Sequence, residues 1–140
     1  MSVWTSRSEE ETEQIGAELA EILKPDGILL LESDLGGGKT VLVRGLAVAL
    51  GIDRREVQSP TYALIHEHEG SAGRLVHVDL YRLEPEEVDG LGLDELLAGP
   101  GVKAVEWPDR LASPPRGALH ISILRGDDES AREIRQGESS

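Results

Sequence analysis

The spacing of apolar and polar positions changes along the chain, and each spacing predicts an element. From residue 15 to 23 apolar residues recur at helical spacing behind the capping-box pattern that starts at Ser8, which predicts a helix ending near Pro25. The apolar run 27–31 predicts a buried strand. Residues 40–50 then predict a second helix, which Gly51 would end.

Further along, two strand-like runs, 62–68 and 75–81, are joined by only a few residues, so we expect them to pair antiparallel. The segment 85–97, interrupted by glycines, predicts two short helices. The run 101–108, which Pro108 would end, and the alternating run 118–124 predict two more strands, and the chain from Gly126 onward is polar and predicted to be frayed.

These elements predict an α/β fold, a P-loop NTPase-like three-layer sandwich around a central mixed, mostly parallel sheet. A length of 140 residues suits one domain. We expect that domain to span residues 1–125, followed by a flexible tail at 126–140. Candidate functional residues should lie at the carboxyl ends of the strands, where ligands bind in such sheets.

The segment 27–40 runs from an apolar strand through glycines into Lys39-Thr40 and a helix, and it is typical of a phosphate-binding loop. In such a loop the backbone N–H groups surround the phosphates, the lysine reaches the outer oxygens and the neighbouring hydroxyl binds Mg²⁺. The strict motif requires glycine where this chain has Ser33. At positive φ a residue other than glycine would cost about 1 kcal/mol. A tight turn with a solvent-facing lysine is the alternative interpretation.

Two acids follow apolar strands and are candidate catalytic or metal-binding groups. Asp79 is placed like the acid that anchors Mg²⁺ in P-loop enzymes, and the alternative is an acid that caps a turn or pairs with Arg82. Glu106, just before Trp107, would reach the same ion or orient water. Thr61 is a candidate phosphate sensor or part of a simple turn. His66-Glu67-His68, with two imidazoles on one strand face, and His77, two residues before Asp79, offer a histidine and carboxylate metal site as a further alternative.

The charge of −13, from 27 acidic and 14 basic residues, opposes unaided binding to a nucleic acid. The absence of cysteine excludes disulfides and thiol catalysis. There is no run of about 18 apolar residues and no secretory signal at the amino terminus. We therefore expect a cytoplasmic protein with no membrane association.

Several blocks together resemble the TsaE (YjeE) family, small bacterial P-loop ATPases of tRNA threonylcarbamoyladenosine synthesis. The resemblance covers roughly residues 9–125. Its matching blocks are Asp34-Leu35-Gly36-Gly37-Gly38-Lys39-Thr40, Ser59-Pro60-Thr61-Tyr62, His77-Val78-Asp79-Leu80-Tyr81-Arg82 with Leu83, the Pro85-Glu86-Glu87 and Leu91-Gly92-Leu93 region, and Glu106-Trp107-Pro108. The resemblance implies an Mg²⁺-dependent ATPase that supports turnover of the TsaD–TsaB threonylcarbamoyl transferase complex and meets tRNA only indirectly.

The same resemblance implies roles for individual residues. The phosphate-binding residues would be Leu35, Gly36, Gly37, Gly38, Lys39 and Thr40, with Thr40 and Glu106 on Mg²⁺. Asp79 would be the Walker-B-like acid, Thr61 would belong to a switch-like loop, and Thr12 would approach the nucleotide. The chain departs from the family at Ser33, usually glycine, and at Val41, usually threonine. A degenerate P-loop regulatory module and a small-molecule kinase remain the alternative functions.

Overall fold

The computed structural model describes residues 2–33, 38–57, 65–126 and 131–137. Its strands and helices, in chain order, are β1 Val3–Ser6, α1 Glu9–Leu23, β2 Ile28–Ser33, α2 Lys39–Ala49, β3 Ile65–Glu69, β4 Arg74–Asp79, α3 Pro85–Asp89, α4 Leu93–Ala98, β5 Val102–Glu106, β6 Leu119–Arg125 and β7 Arg132–Gln136. Short 3₁₀ turns lie at Arg54–Glu56 and Pro108–Arg110.

The strands form one seven-stranded sheet in the order β1-β7-β6-β2-β5-β4-β3. Strands β6, β2, β5 and β4 are mutually parallel, and the pairs β3–β4, β6–β7 and β1–β7 are antiparallel. This confirms the predicted α/β fold with a mixed sheet that is parallel in its middle, and strand β2 lies at the centre. The predicted hairpin of the third and fourth strands is also confirmed for the described residues.

The alternation of side chains along the central strands produces two apolar cores, one on each face of the sheet. On one face Leu29, Leu75 and Ala104 pack with helices α1 and α2. On the other face Leu30, Val78 and Val105 pack with residues of α3 and α4. By the same alternation, His77, Asp79 and Glu106 belong to the face that carries α2.

Helix α1 begins as the capping pattern predicts, because Ser8 Oγ accepts a hydrogen bond of 3.1 Å from the Glu11 amide. The reciprocal bond differs from the predicted box. The Glu11 carboxylate accepts from the amide of Arg7, at 3.3 Å, rather than from that of Ser8.

The prediction of a frayed tail from Gly126 is wrong for Arg132–Gln136, which form β7 between β6 and β1. Their sequence is mostly polar, and Ile134 is the residue of this strand that is fully buried in the core. Hydrogen bonding to strands on both sides therefore holds a segment whose apolar pattern is too weak to predict it. The sequence also fails to predict strand β1, because its apolar pattern is equally weak and its Val3 is exposed.

Among the described residues, no helix has both the length and the apolar character needed to cross a membrane.

Candidate nucleotide-binding site

The carboxyl ends of three parallel strands meet at one edge of the sheet. Strand β2 ends at Ser33, and Asp79 and Glu106, the last residues of β4 and β5, are direct partners in the parallel ladder. Ser33 is the last residue of β2 and pairs with Ile123 of β6, so its backbone is extended. Its φ is not positive, because Trp107 is the one non-glycine residue at positive φ in the described part of the chain. A serine at this position is therefore free of the strain that a positive φ would cause.

Helix α2 begins at this edge, directly after a left-handed glycine. Gly38 has φ 101° and ψ 15°, a conformation in which a side chain is unfavourable. Lys39 is the first helical residue and is 8% exposed. Its Nζ lies 4.0 Å from Glu106 Oε1, so the ammonium is held where the helix N-terminus already favours an anion.

An aromatic pair covers the lysine. Lys39 Nζ lies 4.3 Å from the centroid of the Trp107 ring, within cation–π range, and Tyr81 contacts the same ring at a centroid distance of 4.8 Å. Trp107 has φ 60° and ψ 52°, a left-handed conformation that costs about 1–2 kcal/mol in a residue other than glycine. Backbone strain of this kind occurs most often at functional sites, where the surrounding contacts maintain it.

The second oxygen of the Glu106 carboxylate is bound inside the protein. Glu106 is 3% exposed, and its Oε2 forms a short hydrogen bond with Nε2 of His77, which is completely buried. The carboxylate thus has one oxygen on a histidine of β4 and the other toward the lysine of α2. Such pairing is what allows a carboxylate to remain buried.

Asp79, the neighbour of Glu106 across the ladder, is partly exposed. Its Oδ1 accepts a hydrogen bond of 2.9 Å from the Tyr81 amide. Burial raises the pKa of the Asp79 carboxyl, the Tyr81 hydrogen bond opposes that rise, and the nearby negative charge of Glu106 adds to it. Two carboxyl groups side by side form a pair that a cation would stabilise.

An open cleft of about 380 Å³ borders the site on the side of Trp107. Glu32 and Ser33 at the end of β2, Asp109 in the turn after Trp107, and residues 122–124 of β6 line it. A cleft of this volume is within the range of small-molecule sites.

The structure brings together most of the predicted residues that it describes. Lys39 contacts Glu106, and Asp79 lies beside Glu106 on the next strand. Gly38 and Thr40 flank Lys39 at the start of α2. The predicted residues Leu35, Gly36, Gly37 and Thr61 lie outside the described residues.

Thr12 makes its contacts elsewhere. Its Oγ1 lies 2.6 Å from Ser6 Oγ and 3.2 Å from the Ser8 carbonyl oxygen, so its hydrogen bonds are with the turn that joins β1 to α1. Among the described residues, no hydrogen bond joins Thr12 to Lys39, Asp79 or Glu106.

Sequence reasoning missed the partner of Glu106. From the sequence, His77 is a candidate only for a histidine and carboxylate metal site, yet no three His, Cys, Asp or Glu side chains cluster as metal ligands in the described part of the chain. The period-two spacing of His77 and Asp79 already placed both on one strand face. The missing information was that β4 pairs with β5, which follows it only after two helices.

The donor set fits Mg²⁺ bound together with a phosphate. Mg²⁺ usually takes one or two protein oxygen ligands and completes its shell with water and phosphate oxygens. A threonine hydroxyl at residue 40 and a carboxylate at Glu106, beside a buried lysine, are donors of this kind.

Comparisons with known proteins relate the chain to one family. Residues 6–134 match the family described as "Threonylcarbamoyl adenosine biosynthesis protein TsaE". The chain is 45% identical over 133 residues to the tRNA threonylcarbamoyladenosine biosynthesis protein TsaE of Bacillus subtilis (strain 168), covering 94% of this chain and 82% of that protein. It is 40% identical to the TsaE protein of Aquifex aeolicus (strain VF5), covering 91% of this chain and 90% of that one.

A solved structure is similar throughout. The crystal structure of YdiB from Bacillus subtilis superimposes with a TM-score of 0.77 at 34% identity, covering 99% of this chain and 86% of that one. The match of residues 6–134 includes every residue of the Lys39, His77, Asp79, Glu106 and Trp107 cluster. The sequence matches and the shared fold therefore show that this chain belongs to the TsaE family.

Proposed function

We propose that this protein binds ATP with Mg²⁺, hydrolyses it slowly on its own, and serves the synthesis of threonylcarbamoyladenosine in tRNA. The observation that carries the proposal is the pair of Lys39 and Glu106, nearly buried and 4.0 Å apart where helix α2 begins and strand β5 ends. The pathway comes from the names of the similar TsaE proteins.

In this proposal the start of α2 binds the phosphates. Residues 35–38 and the first amides of the helix would surround the anion, and Lys39 would neutralise the outer oxygens. Thr40 and Glu106 would hold Mg²⁺, which supplies charge neutralisation for phosphoryl transfer to water. Asp79 would accept a hydrogen bond from water near the ion. Thr61 would belong to a loop that responds to the terminal phosphate.

Burial makes this cluster suited to electrostatic catalysis. Lys39, His77 and Glu106 are each less than a tenth exposed, so little water screens their charges. Trp107 covers the lysine on one side, and the contact of its ring with Tyr81 supports that position. The residues are thus held before a nucleotide arrives, which is the arrangement that preorganised catalysis requires.

Ser33 does not argue for a degenerate, non-catalytic loop. Its extended backbone in β2 is as accessible to serine as to glycine, so the substitution carries no conformational cost there. This favours an ATPase over a purely regulatory binding module.

The partners in this proposal are the TsaD and TsaB subunits of the threonylcarbamoyl transferase complex, in the cytoplasm. A net charge of −13 is unsuited to direct contact with tRNA, so the transferase would hold the tRNA. Partner subunits would stimulate hydrolysis by positioning the Thr61 loop and the partly exposed Asp79 relative to the nucleotide.

ATP turnover with and without the two transferase subunits tests the proposal. We expect slow Mg²⁺-dependent hydrolysis by the chain alone and faster hydrolysis with the subunits. The Glu106→Gln variant should lose at least about tenfold in rate, since a metal ligand is worth at least as much as the groups that orient it. Glu21→Gln changes an exposed acid on α1 and is the matched control.

The decisive result is the comparison of the two variants. Hydrolysis that is unchanged in Glu106→Gln, or equally reduced in Glu21→Gln, would contradict the assignment of this site.

A further inference from the structure

Within the part of the chain that the structure describes, the completely buried His77 forms one side-chain hydrogen bond, and its partner is the candidate metal ligand Glu106. His77 lies on β4, where Ala104 of β5 is its partner in the ladder, and Glu106 follows Ala104 by two residues on the same face. This places the imidazole beside the Glu106 carboxylate, and Nε2 meets Oε2 at hydrogen-bond distance. The other ring nitrogen, Nδ1, is buried and has no hydrogen-bond partner in the described part of the chain.

The hydrogen bond assigns a tautomer. An ionised Glu106 is an acceptor only, so in that state the ring nitrogen facing it carries the proton. In the neutral ring this leaves Nδ1 as an unprotonated acceptor. The opposite tautomer would direct a lone pair at a buried carboxylate and leave a buried N–H group without a partner, and both arrangements are unfavourable.

The two carboxylate oxygens of Glu106 therefore have different environments. Oε2 faces His77, while Oε1 faces the start of helix α2, 4.0 Å from Lys39 Nζ. The terminal torsion of a glutamate side chain has a broad, roughly two-fold preference, so the carboxylate plane is poorly fixed by the chain itself. A hydrogen bond from a neighbouring strand removes that freedom.

We propose that His77 is a positioning residue: by holding Oε2 of Glu106, it keeps Oε1 directed at the start of α2, where Lys39 and Thr40 lie. This inference rests on the proposed function, because it assigns His77 a role in presenting Glu106 to Mg²⁺. Groups that orient a metal ligand in this way typically affect metal affinity by about 10–100-fold.

Three variants separate positioning from simple packing. His77→Gln keeps an amide donor near the place of Nε2. His77→Asn is polar but too short to reach Glu106, and His77→Leu fills the space without a donor. The first measurement is the midpoint of the Mg²⁺ dependence, the Mg²⁺ concentration at which ATP binding is half of its maximum. It is obtained from calorimetric titrations with ATP at a series of Mg²⁺ concentrations.

We expect this midpoint to rise about 10–100-fold in His77→Leu and His77→Asn and to stay within about threefold of wild type in His77→Gln. Thermal melts of the free proteins identify any variant that fails to fold. If His77→Leu is unfolded, the Asn and Gln variants still make the comparison, since both keep a polar group at this position.

A second measurement needs no nucleotide. Long-range ¹H–¹⁵N NMR of the free protein should show the proton of the His77 ring on Nε2, and the signal should change in Glu106→Gln. A proton on Nδ1 instead would overturn the inference.

Two outcomes distinguish the role of His77 from the proposed function. If wild type binds Mg²⁺-ATP and the midpoints of all three variants match it, His77 is a packing residue and the proposed function stands. If wild type binds no Mg²⁺-ATP, the proposed function fails and the inference fails with it.

Discussion

The crossing of helices α1 and α2 predicts a strong effect of adding one methyl group at Gly45. A Cβ atom there would lie 1.9 Å from the carbonyl oxygen of Glu13 and 2.6 Å from its carbonyl carbon. Both are backbone atoms of a helix, so no side-chain rotation relieves the contact. To reach 3.0 Å from the oxygen, the two helices must separate by at least about 1.1 Å, the difference between the two distances.

The expected magnitude combines two opposing effects. Overpacking usually costs 1–3 kcal/mol, and we take about 3 kcal/mol because the obstacle is backbone. Alanine is better than glycine inside a helix by about 1 kcal/mol. We therefore expect Gly45→Ala to lower the free energy of unfolding by about 2 kcal/mol, which for a chain of this size lowers Tm by about 6–8 °C.

Thermal melts followed by circular dichroism measure this effect, with Gly90→Ala as the control. Gly90 ends α3 at φ −80° and ψ −4°, and a Cβ there would make only an ordinary contact, 3.6 Å from the Glu87 carbonyl oxygen. We expect no loss in the control, and a small gain from reduced freedom of the unfolded chain. A Tm for Gly45→Ala within 1 °C of wild type would refute the reasoning, because the helices would then not be in the close contact described.

Three further predictions concern single residues. Burial raises the pKa of Asp79, so its carboxylate is less favourable in the folded than in the unfolded chain. Asp79→Asn should therefore raise Tm at pH 7, and the gain should vanish below the ordinary pKa of about 3.9, where Asp79 is protonated in the folded and the unfolded chain alike. Thermal melts from pH 3 to 8 measure this dependence. Lys103 Nζ donates to the carbonyl oxygens of Asp26 and Gly99 at 2.7 and 2.6 Å, and Lys103→Met should lower the stability measured in urea by about 2 kcal/mol; an unchanged value would contradict this role. Ser33→Gly should leave ATP affinity within about twofold and lower stability by about 0.5–1 kcal/mol, whereas a large gain in affinity would show that serine impairs the loop.

Local patterns were sufficient for the elements of the central sheet. The apolar run before Ser33 and the helix after Lys39 are as predicted, because burial on both faces and helical periodicity leave clear signals. The glycines between α3 and α4 likewise marked a real interruption. The polar strand β7 gave no such signal, since strand pairing rather than apolar content holds it.

The site was only partly predictable for a related reason. Candidate residues at strand ends could be named from the sequence, and Lys39, Asp79 and Glu106 do lie together. The bond from His77 to Glu106 depends on which strands are neighbours and in which register, and no local pattern contains that information. The position of Trp107 over Lys39 depends in addition on a left-handed backbone that is rare for tryptophan.

Calorimetric titration of the purified chain with Mg²⁺-ATP and, separately, with Mg²⁺-GTP measures whether the site around Lys39 binds a nucleotide. Lys39→Ala removes the buried ammonium, and Lys24→Ala, which removes a more exposed lysine paired with Glu21, is the matched control. We predict binding of ATP in preference to GTP, weakened by about tenfold or more in Lys39→Ala, as expected for loss of a charged hydrogen bond, and unchanged in Lys24→Ala. Absence of ATP binding in wild type, or equal binding by wild type and Lys39→Ala, would contradict the account.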